Sequence, residues 1–91
     1  MATIESGFNE EEFSSHFKIY PNPVSNYLNI ESNRGNIVGV TLMNNMGQTI
    51  KTMSFAPSKK CRILLDVPPG LFFVKITTEN EQNWMGRVIK N

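Results

Sequence analysis

The sequence predicts an all-β protein, an antiparallel β-sandwich of about seven strands, on three observations. Apolar residues recur with period two after residue 17, as in Phe72, Val74 and Ile76 against Phe73, Lys75 and Thr77. The alternating runs are short and are separated by proline, glycine and asparagine corners. No segment carries an apolar stripe of helical period.

Residues 1–16 read as a polar, acidic linker or frayed arm, in which Glu10-Glu11-Glu12 is a solvated charge run; residues 17–91 form the folded unit. Phe17-Lys18-Ile19-Tyr20 and Leu28-Asn29-Ile30-Glu31 are short strands on either side of Tyr20-Pro21-Asn22-Pro23-Val24. Each proline lacks a donor NH, fixes its φ and pushes the preceding residue into an extended conformation, so this segment is a stiff corner. Asn22 there is suited to bond its own neighbouring backbone in an Asx-type turn. Val38, Val40 and Leu42 alternate with Gly39, Thr41 and Met43, giving a half-buried strand. Asn44-Asn45-Met46-Gly47 is a turn in which Gly47 can take positive φ, and Gln48 to about Met53 is the return strand. Ala56 to Lys60 breaks the chain, after which Ile63, Leu65 and Val67 alternate up to the corner Pro68-Pro69-Gly70. The strand through Phe72 follows, then polar hairpin material from Glu79 to Asn83, then a last strand from Trp84 to Lys90. This is the pattern of an immunoglobulin-like sandwich without a Cys–Trp–Cys core.

Composition bounds the function. Ninety-one residues, 40% of them hydrophobic, make one domain with a thin core. Nine basic against eight acidic residues leave a net charge of +1, with no basic stripe for nucleic acid. The single Cys61 excludes an internal disulfide but not an exported location. No apolar run approaches the roughly 18 residues of a membrane span. The first residues lack the basic and apolar regions of a signal peptide, which leaves two readings, a domain that stays in the cytosol or a piece of a longer exported protein with an added Met1.

No catalytic constellation is visible. His16 and Cys61 are each single, and a general base needs a nucleophile and an orienting partner within reach. One histidine and one cysteine cannot fill a zinc site, no calcium loop is present, and the glycines are scattered at turns; no metal or cofactor is expected. Phe72 and Phe73, being adjacent, point to opposite faces of their sheet, with Leu71 and Phe73 on the outer one as a potential docking surface. Trp84 is the remaining aromatic whose place, core or surface, the sequence leaves open.

The turn motifs together resemble a known family. Phe17-Lys18-Ile19-Tyr20-Pro21-Asn22-Pro23-Val24 followed by Leu28-Asn29-Ile30 looks like the opening of the type A C-terminal sorting domain of the type IX (Por) secretion system. Val38-x-Val40-x-Leu42-x-Asn44 with Met46-Gly47-Gln48 resembles that family's middle hairpin. Ile63-x-Leu65-x-Val67-Pro68-Pro69-Gly70-x-Phe72-x-Val74-x-Ile76 resembles its Pro/Gly corner block, with Phe72 where Tyr is frequent. Arg87-Val88-Ile89-Lys90 resembles its terminal basic–apolar–basic strand, extended here by Asn91.

The resemblance implies a non-catalytic signal behind a larger cargo, which crosses the periplasm and is delivered to the cell surface or the extracellular space. Its implied partners are the outer-membrane translocon and a sortase-like peptidase that removes the domain, with cleavage falling in the linker. Arg87, Val88, Ile89 and Lys90 are the expected recognition residues, on a strand whose position at a sheet edge would leave backbone groups for an added strand. Tyr20, Pro21, Asn22, Pro23, Gly47, Pro69, Gly70 and Phe72 are the expected architectural positions. Edge strands would also offer a route to self-association. A competing expectation is an adhesion or carbohydrate-binding module on an extracellular enzyme, which would need an aromatic platform from Trp84 and Phe73.

Overall fold

A computed structural model of the chain describes residues 10–91. The segment 1–9 of the expected linker, and the side chains of Glu10 and Glu11, lie outside the described residues. A short helix α1 (Glu10–His16) is followed by seven strands: β1 (Phe17–Tyr20), β2 (Tyr27–Ser32), β3 (Ile37–Asn44), β4 (Thr49–Ser58), β5 (Lys60–Leu64), β6 (Gly70–Thr78) and β7 (Asn83–Lys90). They form two antiparallel sheets, one ordered β1-β2-β5 and the other β4-β3-β6-β7. The predicted β-sandwich of seven strands is the fold observed.

The core follows the alternation where the register is unbroken. Phe72, Val74, Ile76 and Thr78 are buried along β6, and Leu28, Ile30 and Ser32 along β2. Two expectations are corrected. In β3 the inward residues are Ile37, Val40 and Leu42 rather than Val38, because a register shift between Ile37 and Gly39 turns Val38 half out. The predicted break at Ala56 to Lys60 is narrower than expected, since β4 runs on through Pro57 to Ser58. Pro57 is tolerated there because β4 is the outer strand of its sheet and Pro57 falls in the irregular stretch between Ser54 and Ser58, which has no partner in β3.

The third correction is α1, which occupies part of what the sequence assigns to a frayed arm. Seven residues are too few to be helical in isolation, so packing must supply the stability. Phe13 is buried, its ring stacked on Phe17 with centroids 5.2 Å apart, and His16 stacks on Trp84 at 4.3 Å. Glu12 is exposed. Glu12 near the start of the helix and His16 in its last turn suit the helix dipole, a signal the sequence did carry.

Candidate functional site

The geometry of one sandwich end brings the separated motifs together. Gly70 pairs with Lys90, and Asn44 with Phe72. In the other sheet Tyr27 pairs with Leu64, and the Leu65 NH donates to the Asn26 carbonyl at 2.8 Å. Val24 bridges the two by forming a parallel bridge to Lys90. The corner after β1, the β3–β4 turn, the Pro69-Gly70 corner and the C-terminus therefore share one end of the molecule.

Each turn there has a local cause. Asn44 organises the β3–β4 turn, its Oδ1 accepting from the NH groups of Met46 (2.9 Å) and Gln48 (3.0 Å), while Gly47 sits at φ 84°. Gly70 has φ 151°, a backbone region that residues with a Cβ rarely adopt, and so turns the chain sharply into β6. The Tyr20 hydroxyl donates to Glu31 Oε2, and the Asn29 side chain donates to the Tyr20 carbonyl at 3.3 Å, so the last residue of β1 is pinned to β2. That bond to Glu31, with smaller contributions from burial and the Glu31 charge, raises the Tyr20 phenol above its ordinary pKa.

Asn22 does not close an Asx turn on its own neighbours, as the sequence suggests. Its side chain reaches across to the last strand, where Nδ2 donates to the Arg87 carbonyl (3.1 Å) and Oδ1 accepts from the Ile89 NH (2.9 Å). The Val24 NH donates to the Ile89 carbonyl and the Asn91 NH donates to the Val24 carbonyl, both at 2.8 Å. Asn22 and Val24 thus act as a fragment of an extra strand along the outer edge of β7 from Arg87 to Asn91. The carboxamide of Asn22 copies the donor–acceptor pair of a peptide group. No local pattern in the sequence could reveal this pairing, since its partners are 65 and 67 residues apart.

β7 does lie at a sheet edge, but the four residues expected to be read together do not share a face. Val88 is fully buried and belongs to the core; Lys90 is half-buried; Arg87 is exposed and Ile89 is 48% exposed. Beside Ile89 lies its cross-strand partner Leu71, 37% exposed. Phe73, the partner of Arg87, shares that outer face and is half-buried. Pro21, Asn22, Pro23 and Pro69 are all exposed, whereas Phe72 is buried behind Gly70.

The aromatic platform required of a sugar-binding module is not formed. Trp84 pairs with Ile76 on the inner side of the sheet and packs against Phe17 at 5.9 Å, whereas Phe73 faces outward. His16 and Cys61 are also kept apart in role: His16 Nδ1 donates to the Glu12 carbonyl (2.8 Å), and Cys61 lies on β5, across its sheet from β1. Burial pushes the Cys61 thiol up to about 11, the opposite of an activated nucleophile. Among the described residues no group of three or more His, Cys, Asp or Glu side chains could hold a metal.

No curated protein matches this sequence. Among solved structures, the crystal structure of CopC from Methylosinus trichosporium OB3b superimposes with a TM-score of 0.52 at 8% identity, covering 82% of this chain and 91% of that one. At that identity the likeness speaks for the sandwich fold alone. The model of the secretion system C-terminal sorting domain matches residues 18–91, a span that contains both the Asn22–Val24 corner and the strand it clamps. By that match the chain belongs to the family of type IX secretion C-terminal sorting domains.

Proposed function

We propose that the clamped end of the sandwich is the surface an outer-membrane translocon reads, and that it does so through side chains on an intact fold. Family membership makes the domain a C-terminal type IX sorting signal, carried behind a larger cargo bound for the cell surface or the extracellular space. The finer reading rests on one observation. Arg87, Ile89 and Leu71 are presented on one exposed face beside the C-terminus, while the backbone edge from Arg87 to Asn91 is already bonded to Asn22 and Val24. A receptor strand cannot add along those residues without first displacing the corner. Recognition by exposed apolar and basic side chains needs no such displacement.

The domain contributes no chemistry of its own in this reading. A sortase-like peptidase acts on the chain upstream of β1, after a periplasmic stage, and the sandwich serves as a removable address. The test is Ile89→Glu, alone and with Leu71→Glu, in a cargo fusion expressed in a type IX-competent bacterium. Both side chains are exposed, so the melting temperature should hold while surface delivery falls. Normal delivery of a stably folded double variant would refute the assignment.

A further inference from the structure

We infer that the outer face of the four-stranded sheet, across β3, β6 and β7, is the docking surface for a protein partner that offers an apolar ridge bordered by carboxylates. This deepens the reading above and rests on it, since it gives the terminal patch at Leu71 and Ile89 its extent and its partner's chemistry.

The two outer faces of the sandwich differ in kind. On the β1-β2-β5 sheet the outward rows are polar: Lys18, Glu31 and Lys60 align in one, and Tyr20, Asn29 and Arg62 in the next. Most of these groups have partners on the same face. The Tyr20 hydroxyl donates to Glu31, and Arg62 Nε donates to Asn29 Oδ1 at 3.4 Å. The Lys18 and Arg62 cations lie 5.4 and 5.2 Å from the ring centres of Tyr20 and Tyr27. Water completes such a face.

On the other sheet Met43, Phe73 and Arg87 align in one row, and Thr41, Lys75 and Met85 in the next. Leu71 and Ile89 pair beside the first. Their chain neighbours Leu42, Val74 and Val88 are buried in the core, so alternation turns these rows outward. The result is a contiguous and mainly apolar face, which is the mark of an interaction surface. Its unbranched methionines suit it to adapting to a partner's relief.

Charge then specifies the partner. No strand of this sheet contains an aspartate or a glutamate, while Lys75 and Arg87 stand at outward positions. Carboxylates around an apolar ridge complement that arrangement. A second copy does not, because two-fold pairing of this face sets Lys75 and Arg87 against a sheet that holds no acid. A bilayer takes up apolar side chains that project into it, whereas Met43, Phe73 and Met85 are half-buried in their own sheet.

The test measures surface delivery of the cargo fusion carrying Met43→Glu, Lys75→Glu or the conservative Lys75→Arg. Lys60→Glu, on the opposite face, is the control. A carboxylate set against the partner's carboxylates should cut delivery at least about tenfold in both sheet-face glutamate variants. Lys75→Arg and Lys60→Glu should be delivered like the unaltered domain. Melting of residues 1–91 with each change checks folding; if Met43→Glu does not fold, the contrast between Lys75→Glu and Lys75→Arg decides alone. Normal delivery of the folded glutamate variants would overturn the extended face, and the terminal patch would stand if Leu71→Glu with Ile89→Glu still lost delivery. The reverse pattern would sink the terminal patch and leave the face across β3 and β6. The purified domain should also sediment as a monomer and leave vesicles of phosphatidylglycerol and phosphatidylcholine in equal parts unbound. A dimer dispersed by Met43→Glu, or vesicle binding lost in Lys75→Glu, would assign the face to another occupant and overturn the proposal.

Discussion

Replacing Asn22 with alanine removes both of its side-chain bonds to β7, leaves those of Val24, and touches nothing in the core. Two hydrogen bonds are lost, to the Arg87 carbonyl at 3.1 Å and from the Ile89 NH at 2.9 Å. Asn22 is exposed, so water takes over the freed backbone groups, and the loss per bond sits at the lower end of the usual range of about 0.5–1.5 kcal/mol. The sum is about 1–2 kcal/mol, and a domain of this size shifts its melting temperature by about 4–8 °C per kcal/mol. Thermal denaturation of Asn22→Ala should therefore show a fall of about 4–16 °C. Hydrogen exchange should locate the loss: the Ile89 amide speeds up by about tenfold, while amides bonded to β6 keep their protection. Asn22→Asp retains an acceptor for the Ile89 NH but sets a carboxylate oxygen against the Arg87 carbonyl, so it should keep Ile89 protected while still losing stability. Unchanged melting and unchanged Ile89 exchange in Asn22→Ala would refute the clamp. So would a variant of wild-type stability that nonetheless fails to export, since Asn22 would then contact the receptor directly.

Three further outcomes follow from the same geometry. Val88→Ala should cost about 2–3 kcal/mol in chemical denaturation, because it removes two methyl groups from a fully buried site, whereas Ile89→Ala should cost under about 1 kcal/mol. Gly70→Ala should destabilise by about 1–3 kcal/mol through its φ of 151° rather than through crowding, since a Cβ there meets only Phe72 Cε1 at an ordinary 3.8 Å; thermal melting checks it. Cys61, with its folded pKa raised from 9.0 to about 11, should react with a thiol reagent at pH 8 at least about tenfold more slowly than the same cysteine in the unfolded chain. Its linkage runs the same way: the contribution to stability is complete below pH 9.0 and declines as pH rises toward about 11, where the unfolded thiol ionises and the folded one does not.

What the sequence discloses and what it hides divide along a physical line. Residues that act on their immediate neighbours are legible: the prolines around Asn22 force a corner, Gly70 forces another, and the alternation of Phe72, Val74 and Ile76 gives the inner face of β6 directly. Where one residue is inserted into a ladder the alternation misleads, as at Val38, because the bulge depends on what the neighbouring strand does. Pro57 breaks a central strand but not an outer one, and strand order is not written in the local pattern. α1 is hidden for a related reason: its buried Phe13 makes no period, and the seat of that ring on Gly86 is 73 positions away in the chain. The terminal motif was legible in part. Period two already separates Val88 from Arg87 and Ile89, but a motif read as a block of four conceals that only alternate members face outward.

The link between the first corner and the last strand explains why such a domain needs both. Chain termini fray unless something ties them, and a strand with one neighbour and a free end is the part of a sheet most exposed to fraying and slippage. A one-residue slip of β7 would bury Ile89 and expel Val88, exchanging the presented face for the core face. Pairing with β6 fixes one side of the strand. On the other side Asn22 accepts the Ile89 NH and Val24 accepts the Asn91 NH, bonds that only one register satisfies. Since Asn22 and Val24 belong to the same folded unit as the strand they hold, the register of the terminus does not depend on the protein attached upstream. A signal shared among unrelated cargos requires that independence, and here a single carboxamide and one main-chain residue on a proline-stiffened corner supply it.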